Sequence, residues 1–478
     1  MKWSDPNWKT EMKKALEEMS LHPEEVIRAC ARVRNELDTE ENRARLLFLL
    51  MESGLPEREA RSRLEAAWKG LAPESLRRQM ELEFGPDWVR EFSPGFEESF
   101  IPGASGCFEE NGRRYVQKWR PLGVLFHIGA GNMDGISAFS ALEGLLTGNV
   151  NLVKLPGEGD PVSEWLISRL LQAEPKLKRY LHLFPIRSEE EGSMRELAEA
   201  ADAVVVWGGD EAVKAVRRLA DPGTKLIEWG NRLSFAYLPA AALNGPEEEL
   251  DAQLQLLARH MAETDQLLCS SCQGIYVDTE RGGTLLNVGR RLLWALEQEM
   301  ERLERGSGRG WDSELERTGG REEDSVLKRA GGEERTGGRE RDRLPDTTRR
   351  QAAIALELCT AELESVRERK RVLRGKGCSV IVFGDSRLEV SLQYGNPWVR
   401  PLPARDLVSL LRPFRGVLQT VCILCPEKAD DRLREKFFRA GAVRITSPDH
   451  MSLGYRGEPH DGEMSMRRYV KRVSVEIP

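Results

Sequence analysis

The stretch Gln266-Leu267-Leu268-Cys269-Ser270-Ser271-Cys272-Gln273 sets a thiol among small polar residues just ahead of an apolar run. A thiolate at Cys269 can attack a carbonyl or thioester carbon, and an amide donor beside it lowers the barrier by holding the developing oxyanion. Burial as a small apolar residue, the commonest fate of a reduced cysteine, competes with that reading. Gly129-Ala130-Gly131-Asn132-Met133-Asp134-Gly135 lies between a strand and a helix and nearly spells the dinucleotide fingerprint, with its third glycine one position late. Asn132 there brings a side-chain amide able to donate to an oxyanion. Glu228, followed by Trp229-Gly230-Asn231, can serve as a base or cap the next turn. Lys154 ends a strand where a doubly wound fold places a nucleotide ribose, though an exposed lysine reads equally well. His127 sits inside a strand and reads as a hydrogen-bonded core histidine; Pro459-His460-Asp461-Gly462 reads as a polar turn. Cys269, Cys272, Cys422 and Cys425 form two CxxC pairs, but Val421–Leu424 reads as a buried strand, so no metal site is expected. The chain has no Walker-type Gly-Lys-Ser/Thr, so phosphoryl transfer on a P-loop lacks support.

Alternating elements must position these groups. Residues 1–95 carry helical spacing at Glu11–Glu18, Pro23–Leu37, Glu40–Glu52 and Glu57–Leu71 and read as a solvated cap or lid. From Pro121, strands at Gly123–Ile128, Asn149–Leu155, Leu181–Phe184, Ala203–Trp207 and Lys225–Glu228 alternate with helices at Ile136–Leu146, Glu164–Leu171, Glu189–Ala200 and Glu211–Leu219. Such repeats specify a mostly parallel sheet with helices on both faces and a ligand site beyond the carboxyl ends of its strands. A second α/β domain follows, with strands at Ser234–Leu238, Gly274–Val277, Ser379–Phe383, Leu418–Leu424 and Val443–Thr446 and a helix at Leu250–Glu263; Arg467–Val475 reads as a final strand. The expected organisation is a helical region 1–95, a dinucleotide-binding domain 96–235, a thiol-bearing domain 236–445, and a segment 446–478 returning to the core.

Residues 304–350 break the pattern, with twelve Lys/Arg, twelve Asp/Glu, many glycines and the heptapeptide Glu-Arg-Thr-Gly-Gly-Arg-Glu at Glu316–Glu322 and Glu334–Glu340. Two copies make no solenoid, and so few apolar residues cannot offset ordering entropy; a disordered insertion is expected. The whole chain has 478 residues, 71 Lys/Arg against 78 Asp/Glu and a net charge of −7. A mildly acidic chain is a poor counterion-displacing binder of nucleic acid. No apolar run approaches the ~20 residues of a membrane span, and the amino terminus lacks the apolar region of a secretory signal. Eight cysteines are too sparse for a disulfide scaffold; reduced thiols and a cytoplasmic location are expected.

Taken together the motifs resemble the aldehyde dehydrogenase superfamily. Gly123-Val124-Leu125, Asn132, Gly148-Asn149 and Lys154 follow that superfamily's order and spacing; Trp207-Gly208-Gly209-Asp210 resembles its glycine turn at the cofactor phosphates, Glu228-Trp229-Gly230 its general-base motif, and Cys269 stands where its nucleophile is expected. The sequence is more closely similar to the long-chain fatty acyl-CoA reductase family of the bacterial bioluminescence system. Arg120-Pro121-Leu122-Gly123, Phe126-His127-Ile128, Ala130-Gly131-Asn132, Asp265-Gln266, Cys269-Ser270-Ser271 and Pro459-His460-Asp461-Gly462 carry that resemblance, from roughly Phe96 to the C-terminus apart from the insertion. Two features depart from it: Cys272 stands where the family pattern has proline, and the insertion is extra.

The resemblance implies two doubly wound Rossmann-like domains. It implies NADPH-dependent reduction of a long-chain acyl-CoA, or of a protein-bound acyl group, to fatty aldehyde through a Cys269 thioester. Asn132 would stabilise the oxyanion; Glu228 would help proton transfer or bind cofactor; Gly129, Gly131, Lys154, Gly208 and Gly209 would hold the dinucleotide. Gly157, where NAD-selective members often place a carboxylate, favours NADPH. A homo-oligomer is expected, and an acyl-protein synthetase is a candidate partner. A short-chain acylating aldehyde dehydrogenase, an acyl-phosphate reductase and a non-catalytic acyl-binding subunit are the alternatives.

Overall fold

The computed structural model describes residues 7–18, 20–52, 57–96, 100–102, 104–129, 135–156, 160–307, 346–364 and 370–477. The chain divides into two compact units, residues 1–231 with 454–478, and residues 232–453.

The first unit begins with six helices: α1 (Trp8–Glu18), α2 (Pro23–Leu37), α3 (Glu40–Glu52), α4 (Glu57–Gly70), α5 (Pro73–Phe84) and α6 (Trp88–Phe92). Local chemistry sets the start of α2. His22 accepts from the Glu24 backbone N–H, Glu25 reaches back to the His22 N–H, and Pro23 supplies a preset φ at the first turn. Val26, Ile27, Cys30 and Val33 of α2 are completely buried in the same apolar core as Leu142, Leu166 and Leu152 of the α/β layer. The amino-terminal helices are therefore not a solvated cap or lid: the layer is built on them.

The α/β layer runs β3 (Val124–Ile128), α7 (Ile136–Leu146), β4 (Val150–Lys154), α8 (Pro161–Ala173), β5 (Leu181–Phe184), α9 (Glu191–Glu199), β6 (Ala203–Trp207), α10 (Asp210–Leu219) and β7 (Lys225–Trp229), preceded by β1 (Cys107–Glu110) and β2 (Arg113–Pro121). The five strands are parallel in the order β5-β4-β3-β6-β7. All residues of β3, β4 and β5 are buried, which explains their continuous apolar reading. The order reverses between β3 and β6, so the ligand crevice of this sheet opens beyond Ile128 and Trp207. β1 and β2 form an antiparallel sheet with the carboxyl-terminal strand at Val470–Ile477.

The second unit contains β8 (Leu233–Leu238), α11 (Glu247–Thr264), β9 (Cys272–Val277), α12 (Gly282–Ser307), α13 (Asp346–Glu364), β10 (Lys370–Arg374), β11 (Ser379–Phe383), β12 (Trp398–Pro401), α14 (Leu407–Leu411), β13 (Leu418–Ile423), α15 (Asp431–Ala440) and β14 (Arg444–Thr446). Its seven-stranded sheet, β10-β11-β12-β9-β8-β13-β14, is parallel except for the β10–β11 pair. Helices α11 and α12 cover one face, and α14 and α15 the other. The layer is thus doubly wound like the first, and the expected pair of Rossmann-like folds is present.

Two boundaries differ from the sequence reading. The expected insertion 304–350 is narrower, because α12 runs through Ser307 and α13 starts at Asp346; the remainder, 308–345, lies outside the described residues. The final strand, expected at Arg467–Val475, starts three residues later and is β15 (Val470–Ile477), since Met466–Tyr469 form a turn of 3₁₀ helix.

Candidate active site

Each unit carries part of the predicted site. In the first, Gly129 follows β3, and a Cβ on it would collide with Ser137 Oγ on α7, so a larger residue there requires Ser137 to move. Gly208 and Gly209 join β6 to α10; a Cβ on them would approach Ala212 Cβ at 3.0 Å and Asn231 Nδ2 at 3.2 Å. Lys154 ends β4, is 3% exposed and donates from Nζ to Ser188 Oγ at 2.9 Å. Burial pushes its ammonium pKa down, against the pull of Glu189. These groups gather at the carboxyl ends of β3, β4 and β6, where bare glycine turns and one buried cation suit a dinucleotide. Asn132 and Gly131 lie outside the described residues, as do residues 157–159.

Glu228, on β7, is occupied. Its carboxylate takes Arg217 Nε at 2.6 Å and Nη2 at 2.7 Å. That hydrogen-bonded pairing holds it below the usual carboxylate range, with Arg468 adding to the pull.

Two groups read only as core and turn prove to be linked. His127 is fully buried, and burial pushes its pKa down to about 4. Asn151 Nδ2 donates to Asn149 O, which leaves Asn151 Oδ1 to accept from His127 Nε2 at 2.9 Å. His127 Nδ1 must then accept from the Ser140 hydroxyl at 2.8 Å, and Ser140 Oγ accepts Trp207 Nε1–H at 3.1 Å. This buried chain fixes the indole immediately before Gly208. Trp207 stacks on Trp229 at 5.3 Å, and His460 packs against both, at 5.4 and 4.8 Å. His460 is presented by a two-residue hairpin closed by His460–Glu463 hydrogen bonds, with φ of +52° at Asp461 and +84° at Gly462, the signature of a type I′ turn.

The second unit holds the thiols. Cys269 is exposed on the turn between α11 and β9. Its carbonyl accepts Ser234 Oγ at 2.7 Å, and Ser234 Oγ in turn accepts the Thr420 N–H at 3.1 Å. Leu268 and Ser271 exchange hydrogen bonds that close the turn, N–H to Oγ at 3.0 Å and N–H to carbonyl at 2.9 Å. Cys272 differs in every respect. It is completely buried, its thiol faces Gly274 O at 3.3 Å, and burial pushes its pKa up to about 12. Its N–H donates to His260 Nε2 at 3.2 Å, a bond that the proline of the family pattern would lack. Cys269 is therefore the thiol of this pair that solvent and a substrate can reach. None of the eight cysteines is in a disulfide.

A cleft of about 690 Å³ opens at the carboxyl ends of β8 and β9, with Leu243, Asp278 and Arg291 in its lining. It lies at the opposite end of β9 from Cys269.

Comparison with solved structures places the fold. An aldehyde dehydrogenase from Physcomitrella patens in complex with succinate aligns over 98% of this chain and 90% of its own, with a TM-score of 0.58 and 14% identity. An NAD-dependent benzaldehyde dehydrogenase from Corynebacterium glutamicum aligns over 98% and 89%, with a TM-score of 0.61 and 13% identity. The chain thus has an aldehyde dehydrogenase-like fold. Among curated relatives, the long-chain acyl-protein thioester reductase of Aliivibrio fischeri is 24% identical over 199 residues, 41% of this chain and 39% of that protein. The Vibrio harveyi protein of the same name is 25% identical over 173 residues, 36% of this chain and 35% of its own. The matched stretches span under two fifths of these relatives' length. The family model "Acyl-CoA reductase (LuxC)" matches residues 16–307 and 368–472, most of the sequence on both sides of the insertion, and the chain belongs to that family.

Proposed function

We propose that this protein reduces an activated long-chain fatty acyl group to the aldehyde, with NADPH as reductant and a Cys269 thioester as intermediate. The observation that carries the reading is the contrast between two cysteines three residues apart: Cys269 exposed on a pinned turn, Cys272 sealed in the core. Family membership and the dehydrogenase-like fold support it.

The Cys269 thiolate attacks the carbonyl carbon of an acyl thioester, either acyl-CoA or an acyl group handed over by an acyl-protein synthetase. The donor thiolate leaves and takes a proton from solvent, and the acyl group stays on Cys269. The family resemblance assigns the oxyanion to the Asn132 amide and a backbone N–H, which would lower the barrier to attack. When bound, a reduced nicotinamide would be held by the glycine turns at Gly129, Gly208 and Gly209 and would supply the hydride that takes this thioester to a thiohemiacetal. Collapse of the latter expels the Cys269 thiolate and releases the aldehyde. Lys154 would hold the ribose, and glycine at sequence position 157, where NAD-selective members of the superfamily often carry a carboxylate, favours a cofactor with a 2′-phosphate. Reduction needs no hydrolytic water, so a Glu228 already held by Arg217 is assigned to shaping the cofactor side. No helix among the described residues is long and apolar enough to cross a membrane. A cytoplasmic location and a homo-oligomer belong to the same proposal and rest on the family resemblance.

The test is intact mass and peptide mapping after mixing with tetradecanoyl-CoA, first without and then with NADPH. A single adduct on the Cys269 peptide, released as aldehyde on reduction, is expected. An adduct on Cys272 moves the nucleophile, and no adduct at any chain length removes acyl-CoA as donor.

A further inference from the structure

The turn that carries Cys269 is held by more than its own hydrogen bonds. Gln266 is completely buried and all its carboxamide positions are used toward two segments. Its Nε2 donates to Cys272 O at 2.9 Å and to Ser391 Oγ at 3.2 Å, while its Oε1 accepts the N–H groups of Gly395 and Asn396, both at 3.1 Å. Gln273, 4% exposed, works from the other side of the turn. Its Nε2 donates to Gln266 O at 3.0 Å and Ser271 O at 3.3 Å, and its Oε1 accepts Ser391 N–H at 3.1 Å and Ser391 Oγ at 2.9 Å. Tyr394 N–H closes the contact on Asp265 O at 2.9 Å.

The backbone at this junction is unusual on both sides. Asp265 and Gln266 have φ of +48° and +59°, and the facing Gln393 and Tyr394 have +62° and +48°. Left-handed conformations are costly for residues with a Cβ and persist where surroundings over-determine them, most often at functional sites. The two pairs are hydrogen-bonded to one another at the start of the turn that carries Cys269.

We propose that Gln266 and Gln273 are positioning residues that lock the Cys269 turn onto residues 391–396, so that the thiol is held in one attacking orientation. The inference rests on the proposed acyl-transfer role of Cys269. Aiming a nucleophile to a near-attack geometry accounts for large rate factors, and small displacements forfeit them.

Two variants test it. Ser391→Ala removes the hydroxyl shared by both glutamines without burying a new group, and Gln266→Met keeps the length of the side chain and deletes its amide. Three rates are measured per titratable Cys269: alkylation by iodoacetamide, acylation by tetradecanoyl-CoA, and single-turnover release of aldehyde with NADPH. A small electrophile needs only an accessible thiol, so alkylation is expected to stay within about threefold of wild type, while acylation falls by about 10- to 100-fold at unchanged KM. Acylation at the wild-type rate in Ser391→Ala and in a folded Gln266→Met overturns the proposal. So does a parallel fall of alkylation and acylation, which marks mere collapse of the turn. If wild type itself takes no acyl group, the acyl-transfer reading fails, and the lock is judged separately by amide hydrogen exchange of residues 267–271. Exchange at least about tenfold faster in Ser391→Ala supports the lock, and unchanged exchange removes it.

Discussion

Arg217 grips the Glu228 carboxylate through both arms of its guanidinium, so the acid that sequence motifs would assign as a general base spends its lone pairs on a salt bridge. Arg217 is 61% exposed, which makes the pair a weak contributor to stability but still a competent occupant of the carboxylate.

A general base contributes about 10²–10⁴-fold to the step it serves. Glu228→Gln should therefore leave Cys269 acylation and single-turnover reduction within about threefold of wild type, an effect of the size expected from disturbing a surface pair. A loss above about 100-fold in reduction, with disappearance of an acid limb present in the wild-type pH profile, would restore the base to the mechanism.

The two thiols of the Cys269–Cys272 pair should separate cleanly in chemical labelling. With its pKa pushed to about 12, the Cys272 thiol is ionised to only about one part in ten thousand at pH 8. Iodoacetamide on the folded protein at that pH should mark the exposed Cys269 and Cys359 and spare Cys272 until the chain is unfolded. Cys269→Ser should abolish the acyl adduct, whereas Cys272→Ala should retain it. Mass mapping of the labelled peptides decides both points.

How much of this was legible beforehand depended on the physics of each residue. The strands β3, β4 and β6 were readable because burial on both faces demands unbroken apolar runs, and Gly129, Gly208 and Gly209 because glycine-rich turns between strand and helix stand out in the sequence. Strand β2 was not: Arg113–Pro121 is half exposed and carries four charged residues, whose order comes from pairing with β15 some 350 residues later. β12 escaped because Arg400 sits in it, 1% exposed, with a charge offset by Asp385 and Glu389 and a guanidinium 3.6 Å over Phe383. At the site, the small polar residues around Cys269 pointed to the turn. The lock by Ser391, and the pinning by Ser234, depended on tertiary pairing and on positive φ at non-glycine residues, for which sequence offers no local signal. Gln273 did leave one, a carboxamide inside an otherwise apolar strand.

The glycine turn offers a paired test. Ser137 Oγ is buried without a hydrogen-bond partner among the described residues and is the atom that a Cβ on Gly129 would strike. Gly129→Ala should cost about 1–3 kcal/mol through overpacking and raise the KM for NADPH. Ser137→Ala should be neutral or slightly stabilising, because an unpaired buried hydroxyl already carries its desolvation cost. The double variant should recover part of the loss. Additive free energies in a denaturant-based double-mutant cycle would show that the two atoms do not compete for this space.

The first unit also contains two buried groups whose pH dependences oppose one another. The His127 pKa is pushed down to about 4, so the unfolded chain binds its proton more readily; the stability from His127 is complete above its ordinary value of 6.5 and is lost as pH falls toward 4. Glu83, on α5, is pushed up to about 7, by burial first and by the facing Glu143 second, so it subtracts stability as pH rises from 4.5 to 7. Each is worth on the order of 3 kcal/mol at its limit, and between pH 4.5 and 6.5 the two slopes nearly cancel. Replacing one member should expose the other. Glu83→Gln should give a melting temperature that climbs from pH 4.5 to 6.5. In His127→Gln the melting temperature should fall over the same window as Glu83 is driven to ionise. Calorimetric scans of the three proteins at half-unit pH steps would reveal the divergence, and parallel curves would show that neither group changes its protonation on unfolding.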